Sequence, residues 1–319
     1  MSFLWPYLLM LLSGASDAAL RGVIKLTNVH KFVLLAGGFF VALPFYFVWL
    51  SLEGLPTVGG GFWPAVALHV PLFIVANILM VEAHRSSPLI LTVPYLTLTP
   101  AFLLVVSPII NGGAPTWVGA LGVLVITIGV YLLNLGEARK GALGNGGSVS
   151  LWEPFRALSR ERGSRLMLAV SAIFAVTGSL DKVALNNANG PFYLTVDHGL
   201  TALGMTALAL IYAQVSEHGG NIRVPRGKSW LFLSIFGCAT AVSVILHMVG
   251  LRLITTVPYA IAMKRSGAVV CTVLMGFVLS GKNPRKGFER EREQLGVRLA
   301  GIALMLTGMV VILLWGKEQ

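Results

Sequence analysis

Charged side chains are scarce in this chain. Asp, Glu, Lys and Arg together make up 12% of the 319 residues, whereas hydrophobic residues make up 55%. The mean hydropathy is +0.79. A soluble protein carries about twice this share of charged residues, so the composition indicates an integral membrane protein whose solvent is the bilayer.

Several other features are absent, and each absence narrows the class of protein. The two cysteines, Cys238 and Cys271, lie inside apolar runs, so no disulfide is expected. Alternation with a period of two residues is missing, which argues against a membrane barrel. There is no G-x-x-x-x-G-K-[ST] loop, so ATP hydrolysis is not expected to drive the protein. No metal-ligand spacing joins His69 and His247, and we expect neither a metal nor a cofactor.

Apolar runs of membrane-spanning length occur ten times. They lie near residues 3–24, 30–52, 62–83, 87–110, 114–135, 165–187, 191–215, 229–251, 254–280 and 295–315. Inside a bilayer a helix satisfies its own backbone hydrogen bonds, so each run is expected to be helical. The sequence therefore predicts an all-α integral membrane protein with ten transmembrane helices.

The basic residues predict an orientation. If the N-terminus lies outside, nearly all Lys and Arg residues beyond the apolar runs fall on the inner side, and only Arg252 and Lys317 lie outside. This pattern predicts a multi-pass protein of the inner or plasma membrane with both termini on the outer, periplasmic or extracellular, face. The net charge of +11 then reflects orientation and contact with membrane lipid, and no nucleic-acid partner is expected.

The two halves of the chain repeat each other. Thr92–Tyr95 and Thr256–Tyr259 share the sequence TVPY at an offset of 164 residues. Further pairs in register are Gly14 with Gly178, Asp17 with Asp181, Gly122 with Gly301, and Gly129 with Gly308. Because five crossings are an odd number, the second half must enter the membrane from the opposite side. We predict two five-helix inverted-topology repeats, 1–140 and 165–319, joined by a cytoplasmic linker, 141–164, with a short amphipathic segment.

Lys264 and Arg265 lie near the middle of the ninth apolar run. Each charge costs about 2.5–3.5 kcal/mol at the centre of a membrane helix, so both need a partner or an anionic ligand. An ammonium and a planar guanidinium suit a carboxylate or a phosphate. The alternative is an internal ion pair with Asp181 or Asp197, which are expected at a similar depth.

At this point the chain resembles the EamA-like members of the drug/metabolite transporter superfamily. The resemblance rests on the five-plus-five helices, the Gly-rich last helix of each half, and VPYAIAMKRSGAVVCTVLMGFVLSGK followed by a charged loop. It implies a ten-helix secondary transporter. The pair Lys264 and Arg265 is similar to the Lys-Arg pair with which sugar-phosphate translocators of that superfamily bind phosphate. The repeat counterpart of Lys264 is Pro100, so a site built on this pair would belong mainly to the second half.

The remaining polar residues within apolar runs are candidates for proton coupling, gating or substrate contact. Asp181 is followed by Lys182, and the two either neutralise each other or leave Asp181 to carry a proton. Asp197 with His198 forms a second candidate pair. Asp17 has Arg21 four residues later, the spacing of an ion pair on one helix face.

Two tyrosines and two histidines complete the candidates. Tyr95 and Tyr259 either offer hydroxyls to a substrate or pack as ordinary aromatics. His69 and His247 each read either as a satisfied histidine in apolar surroundings or as a member of a proton relay, and His247 is also a candidate for substrate contact. We expect Pro94 and Pro258, at matching positions, to kink the fourth and ninth helices or to free a backbone carbonyl.

Taken together, the residues and the resemblance predict a secondary-active transporter that moves a small polar metabolite, expected to be anionic, by alternating access. A flippase for a phosphorylated or sugar-bearing lipid is the alternative. An intramembrane prenyl or phosphoryl transferase is disfavoured because no two acids share a helix face at membrane depth, so the protein is not expected to be an enzyme. The expected partners are a small-molecule or lipid substrate and membrane lipid, and a homodimer is left open.

Overall fold

The computed structural model describes residues 4–26, 29–87, 95–112, 115–143, 161–215, 227–280 and 295–316. These residues form ten α-helices, each of which overlaps one of the ten apolar runs, although the helix in the fourth run, 87–110, begins only at Thr99. In chain order the helices are α1 (Trp5–Leu26), α2 (Lys31–Glu53), α3 (Phe62–Ser86), α4 (Thr99–Asn111), α5 (Trp117–Leu143), α6 (Arg162–Asn187), α7 (Gly190–Val215), α8 (Lys228–Leu253), α9 (Val257–Ser280) and α10 (Leu295–Trp315).

Five of these helices are long and apolar enough to cross a membrane: α2, α3, α6, α7 and α8. They have 23 to 26 residues each, which at 1.5 Å per residue is about 35 Å, enough for a hydrocarbon core of about 30 Å. Large apolar side chains also face outwards from the bundle, among them Val48, Ile109, Trp117 and Leu210. This outer surface suits lipid, and together with the helix lengths it indicates a membrane protein.

Pro258 begins a helix and does not kink one. The helix α9 starts at Val257, so Pro258 lies in its first turn, where the missing backbone N–H has no helical partner to lose. Pro100 occupies the same kind of position at the start of α4. The expected kink at Pro258 was wrong because the apolar run begins before the helix does. Pro94 lies outside the described residues.

Glycines allow two helix pairs, α5 with α10 and α1 with α9, to approach closely. A Cβ atom at Gly129 of α5 would lie 2.7 Å from the carbonyl oxygen of Gly301 in α10, and one at Gly308 would lie 2.6 Å from that of Gly122. Small residues at these positions let the two helices approach closely, as is common in membrane proteins. Between α1 and α9 a Cβ at Gly14 would collide with the backbone of Lys264.

The helices pack in an order that differs from their order in the chain. The helix α1 lies against α8 and α9, α6 lies against α3 and α4, α2 pairs with α7, and α5 pairs with α10. Eight helices, all except α5 and α10, surround a central cavity. Tyr46 of α2, Phe62 of α3 and Tyr193 of α7 are fully buried and belong to one hydrophobic core.

Candidate functional site

The central cavity has a volume of ≈ 170 Å³. About 10–15 Å³ of such space is enough for one water molecule, so the cavity has room for several waters or a small solute. Aromatic side chains form much of its wall, including Phe39, Phe73, Phe174 and Phe236. A largely apolar wall with a few polar groups is the usual composition of a small-molecule site.

Eight ionisable side chains line the cavity. They are Asp17, His69, Asp181, Asp197, His198, His247, Lys264 and Arg265. Three carboxyl groups therefore face two permanent cations and three imidazoles. The formal charge of the lining consequently depends on how many of the imidazoles carry a second proton.

His69 lies between two carboxylates. Its Nδ1 atom is 2.7 Å from Oδ1 of Asp197 in α7, and its Nε2 atom is 3.1 Å from Oδ1 of Asp181 in α6. The hydroxyl of Tyr193 donates a 2.6 Å hydrogen bond to the same Asp181 oxygen. Nε2 of His247 lies 3.8 Å from the other oxygen of Asp181. Asp181 is thus the point at which α3, α6, α7 and α8 meet.

Lys264 is held by an acid from the first helix. Its Nζ atom lies 3.2 Å from Oδ2 of Asp17, and the hydroxyl of Ser243 donates a hydrogen bond to the other Asp17 oxygen. Ser243 in turn is hydrogen-bonded to Ser13. These contacts join α1, α8 and α9.

Arg265 and His247 offer hydrogen-bond donors and acceptors beside this ion pair. The guanidinium of Arg265 is 8% exposed and lies over the ring of Phe174, with 6.0 Å between its Cζ atom and the ring centroid. Nδ1 of His247 is buried and has no hydrogen-bond partner among the described residues. A buried nitrogen of this kind is satisfied when water or a ligand fills the space beside it.

Lys182 stabilises the end of a neighbouring helix. Its ammonium donates hydrogen bonds of 2.8 and 2.7 Å to the carbonyl oxygens of Leu251 and Ile254, where α8 ends. Although it follows Asp181 in the chain, it does not line the cavity. A cation at the carboxyl end of a helix satisfies orphan carbonyls and interacts favourably with the helix dipole.

The structure gathers most of the residues that the sequence singled out. Those that line the cavity are Lys264, Arg265, His247, Asp181, Asp197, His198 and Asp17. His198 also accepts or donates a 3.0 Å hydrogen bond with the hydroxyl of Tyr46. The side chain of Arg21 lies outside the described part of the chain, and with it the expected pair with Asp17.

The two repeat tyrosines lie away from the cavity. The hydroxyl of Tyr259 is 3.1 Å from the backbone nitrogen of Thr116, which donates to it, and Tyr95 hydrogen-bonds the side chain of Ser164. Both rings are buried, and neither lines the cavity. Of the two roles left open for them, this placement is that of packing aromatics, because each hydroxyl anchors a neighbouring helix start.

Sequence reasoning missed His69 as a site residue, and it also missed Tyr193 and Tyr46. A signal for His69 was present in its depth. His69, Asp197 and Lys264 are each the eighth residue of their helices, and Asp181 and His247 are each the seventh from the end of theirs. Equal depth in neighbouring helices brings side chains to one level, which identifies His69 even though its sequence neighbours are apolar.

Comparison with known proteins gives the fold. No family model matches the sequence, and no curated protein matches it. The chain is similar to a solved crystal structure of a protein whose description names no activity, with a TM-score of 0.69 and 16% identity over 99% of this chain and 97% of that one. At this identity the likeness extends to the arrangement of the helices and no further.

Proposed function

We propose that this protein is a secondary-active transporter of a small anionic metabolite, with its substrate site in the central cavity. The observation that carries the proposal is the largely apolar cavity that Lys264, Arg265 and His247 line together with three acids. Ionisable groups at this depth of a membrane protein are costly, and they usually mark the path of a solute or an ion. Helix packing alone does not require eight ionisable side chains around a cavity.

The helix pairing supports a transporter built from two inverted repeats. Exchanging the first five helices with the second five turns the contacts of α1 with α8 and α9 into those of α6 with α3 and α4. The pairs α2 with α7 and α5 with α10 are unchanged by the exchange. We therefore propose that all ten helices cross the membrane, with both termini outside as the basic residues predict, in an EamA-like arrangement of the drug/metabolite transporter superfamily.

The ion pair between Asp17 and Lys264 lowers the free-energy cost of burying the Lys264 ammonium. The pair neutralises Lys264 while no substrate is bound. A substrate carboxylate or phosphate that enters the cavity competes with Asp17 for the ammonium and finds the guanidinium of Arg265 one residue away. An arginine fork binds such groups through two parallel hydrogen bonds, which gives orientation as well as affinity.

Access to the site is expected to alternate between the two sides of the membrane. Buried Tyr46 and Tyr193 hydrogen-bond the lining residues His198 and Asp181, and we propose that they and Phe62 close the cavity towards the start of α3 and α7. The cavity extends the other way along α3 from His69 to Met80, a distance of about 16 Å along the helix axis. Opening the first end requires α2, α3 and α7 to separate, which is a relative movement of the two halves of the chain.

A thermal-shift screen tests the binding part of the proposal. The purified protein is heated with sulfate, inorganic phosphate, glutamate or glucose 6-phosphate, and with uncharged glucose as the reference solute. We expect at least one anion to raise the melting temperature of the wild type and of Arg252→Gln, but not that of Arg265→Gln. Arg252 is the matched control because it pairs with Glu53 at the exposed end of α8. Equal shifts in both variants, or shifts by glucose alone, would contradict an anion site at Arg265.

A further inference from the structure

The ring of His69 makes two short contacts with carboxylate oxygens, one at each nitrogen. A neutral imidazole has one N–H group, so it donates at one nitrogen and presents a lone pair at the other. Facing two ionised carboxylates, the neutral ring would therefore set a lone pair against an oxygen about 3 Å away. The observed geometry requires one additional proton within the group formed by Asp181, His69 and Asp197, which we call the Asp-His-Asp group.

This additional proton has room to leave and return. All three side chains line the cavity, so a water molecule in the cavity can accept the proton directly from the ring or from a carboxyl group. Loss of the proton changes the charge of the Asp-His-Asp group from −1 to −2. No bond other than the one to this proton is broken.

Other titratable and charged groups surround the Asp-His-Asp group. Those nearest to it are Tyr193 on Asp181, Tyr46 behind His198, and His247 on the far oxygen of Asp181. Asp17, Lys264 and Arg265 also line the cavity. With the additional proton present and the other two imidazoles neutral, three carboxylates balance Lys264, Arg265 and the imidazolium. The lining is then formally neutral, and it becomes −1 when the proton leaves.

The Asp-His-Asp group also joins the two halves of the chain. His69 belongs to α3 in the first half, whereas Asp181 and Asp197 belong to α6 and α7 in the second. Removing the proton turns one of the two attractive contacts into a repulsive one. The packing of α3 against α6 or against α7 is then weaker. Protonation therefore favours the arrangement of helices seen here, and proton loss favours a different one.

We propose that Asp181, His69 and Asp197 form a proton-binding site that couples proton movement to the transport of the anion. The proposal rests on the proposed function for the anion, while its claim about proton binding stands on the geometry of the three side chains. An anion binds better to the neutral lining than to the negative one, so the proton and the anion favour each other's binding. Linkage of this kind changes affinity by about 5–150-fold, and it makes the two move together.

The first test observes the proton without any substrate. Nitrogen NMR of ¹⁵N-histidine-labelled protein in lipid nanodiscs at pH 7 distinguishes rings with two N–H groups from rings with one, and His69→Gln identifies the signal of His69. We expect this ring to carry protons on both nitrogens or to share one with a carboxylate, and Asp197→Asn to return it to an ordinary neutral ring. The control ring is His30, which precedes α2. Burial lowers the pKa of His30, and repulsion from Lys31 and Arg85 adds to this, so its ring is expected to be neutral. A His69 signal that is neutral and identical in Asp197→Asn would overturn the proton site.

The second test separates coupling from transport. Proteoliposomes are given an acid-outside gradient, and uptake of the anion that stabilises the protein is measured with and without a protonophore. We expect the gradient to stimulate wild-type uptake at least about fivefold. Asp181→Asn and Asp197→Asn are expected to lose the stimulation, and the ratio of uptake with and without the gradient is compared within each variant, so that a change in basal rate does not affect the result. Stimulation that persists in both variants would overturn coupling at this site. Failure of every anion to move in the wild type would overturn the proposed transport instead, and the NMR result would still decide the proton site.

Discussion

The ammonium of Lys264 in α9 lies 3.2 Å from the carboxylate of Asp17 in α1. The exposed fractions of the two side chains are 13% and 20%, so water screens the pair only in part. The contact explains how a lysine persists in the middle of an apolar helix. It also gives the first prediction, because a partly buried charge that loses its partner is left unbalanced.

Asp17→Asn is expected to destabilise the protein by about 3 kcal/mol, the lower end of what removing one partner of a buried pair costs. Asp17→Asn combined with Lys264→Gln is expected to regain most of this loss, because no charge is then left unpaired. The measurement is the temperature of half-maximal aggregation of each purified variant, completed by Lys264→Gln alone as a double-mutant cycle. Additive effects of the two single substitutions would show that the pair contributes nothing.

Gly14 and Gly178 occupy matching positions in the two halves but should respond differently to the same substitution. A Cβ at Gly14 would collide with the backbone of Lys264 and Ala268, whereas one at Gly178 meets no atom within 4 Å. Gly14→Ala is therefore expected to cost about 1–3 kcal/mol or to prevent folding, since backbone cannot give way. Gly178→Ala is expected to be neutral or slightly stabilising through helix propensity.

The comparison of these two alanine variants uses expression level and melting temperature in detergent. Because Gly178 also lines the cavity, Gly178→Ala is expected to weaken anion binding while stability is kept. A similar loss of stability in both variants would contradict the packing of α1 against α9.

Lys182→Met removes the ammonium that satisfies the carbonyl oxygens of Leu251 and Ile254. Hydrogen bonds from charged donors contribute about 1.5–3 kcal/mol, and the variant is expected to lose stability in this range. Lys31→Met is the matched control. The pair between Lys31 and Glu82 is more exposed, with side chains 25% and 31% accessible, and its loss is expected to cost less than about 1 kcal/mol. Chemical denaturation in mixed micelles compares the two, and an equal loss would contradict the capping role of Lys182.

The helices could be predicted from the sequence because the bilayer imposes one simple rule. An apolar run of about 20 residues in a bilayer has to be helical, and each run overlaps a described helix, although the fourth run does so only from Thr99 onwards. The packing of Gly129 against Gly301 was equally accessible, since glycines in facing helices let backbones approach. These features depend on local sequence or on the repeat.

The partners within the site could not be predicted in the same way. Depth along a helix is readable, but which helices are neighbours is not, and Asp17 was therefore assigned to Arg21 on its own helix. Asp17 is the thirteenth residue of α1 and Lys264 the eighth of α9, a difference of about 7 Å in helical rise that a lysine side chain can span. His69 was not predicted as a site residue for a related reason, because its apolar sequence neighbours carry no information about the acids on α6 and α7.

The central claim is that the cavity carries an anion across a membrane with Arg265 as its binding group. The most direct measurement is uptake by proteoliposomes of whichever anion stabilises the purified protein, compared for the wild type, Arg265→Gln and Arg252→Gln. We expect saturable uptake by the wild type and by Arg252→Gln. Removing one charged hydrogen bond is expected to lower the uptake rate of Arg265→Gln by about tenfold or more. Uptake by Arg265→Gln at the wild-type rate, or entry of glucose as fast as the anion, would contradict the central claim.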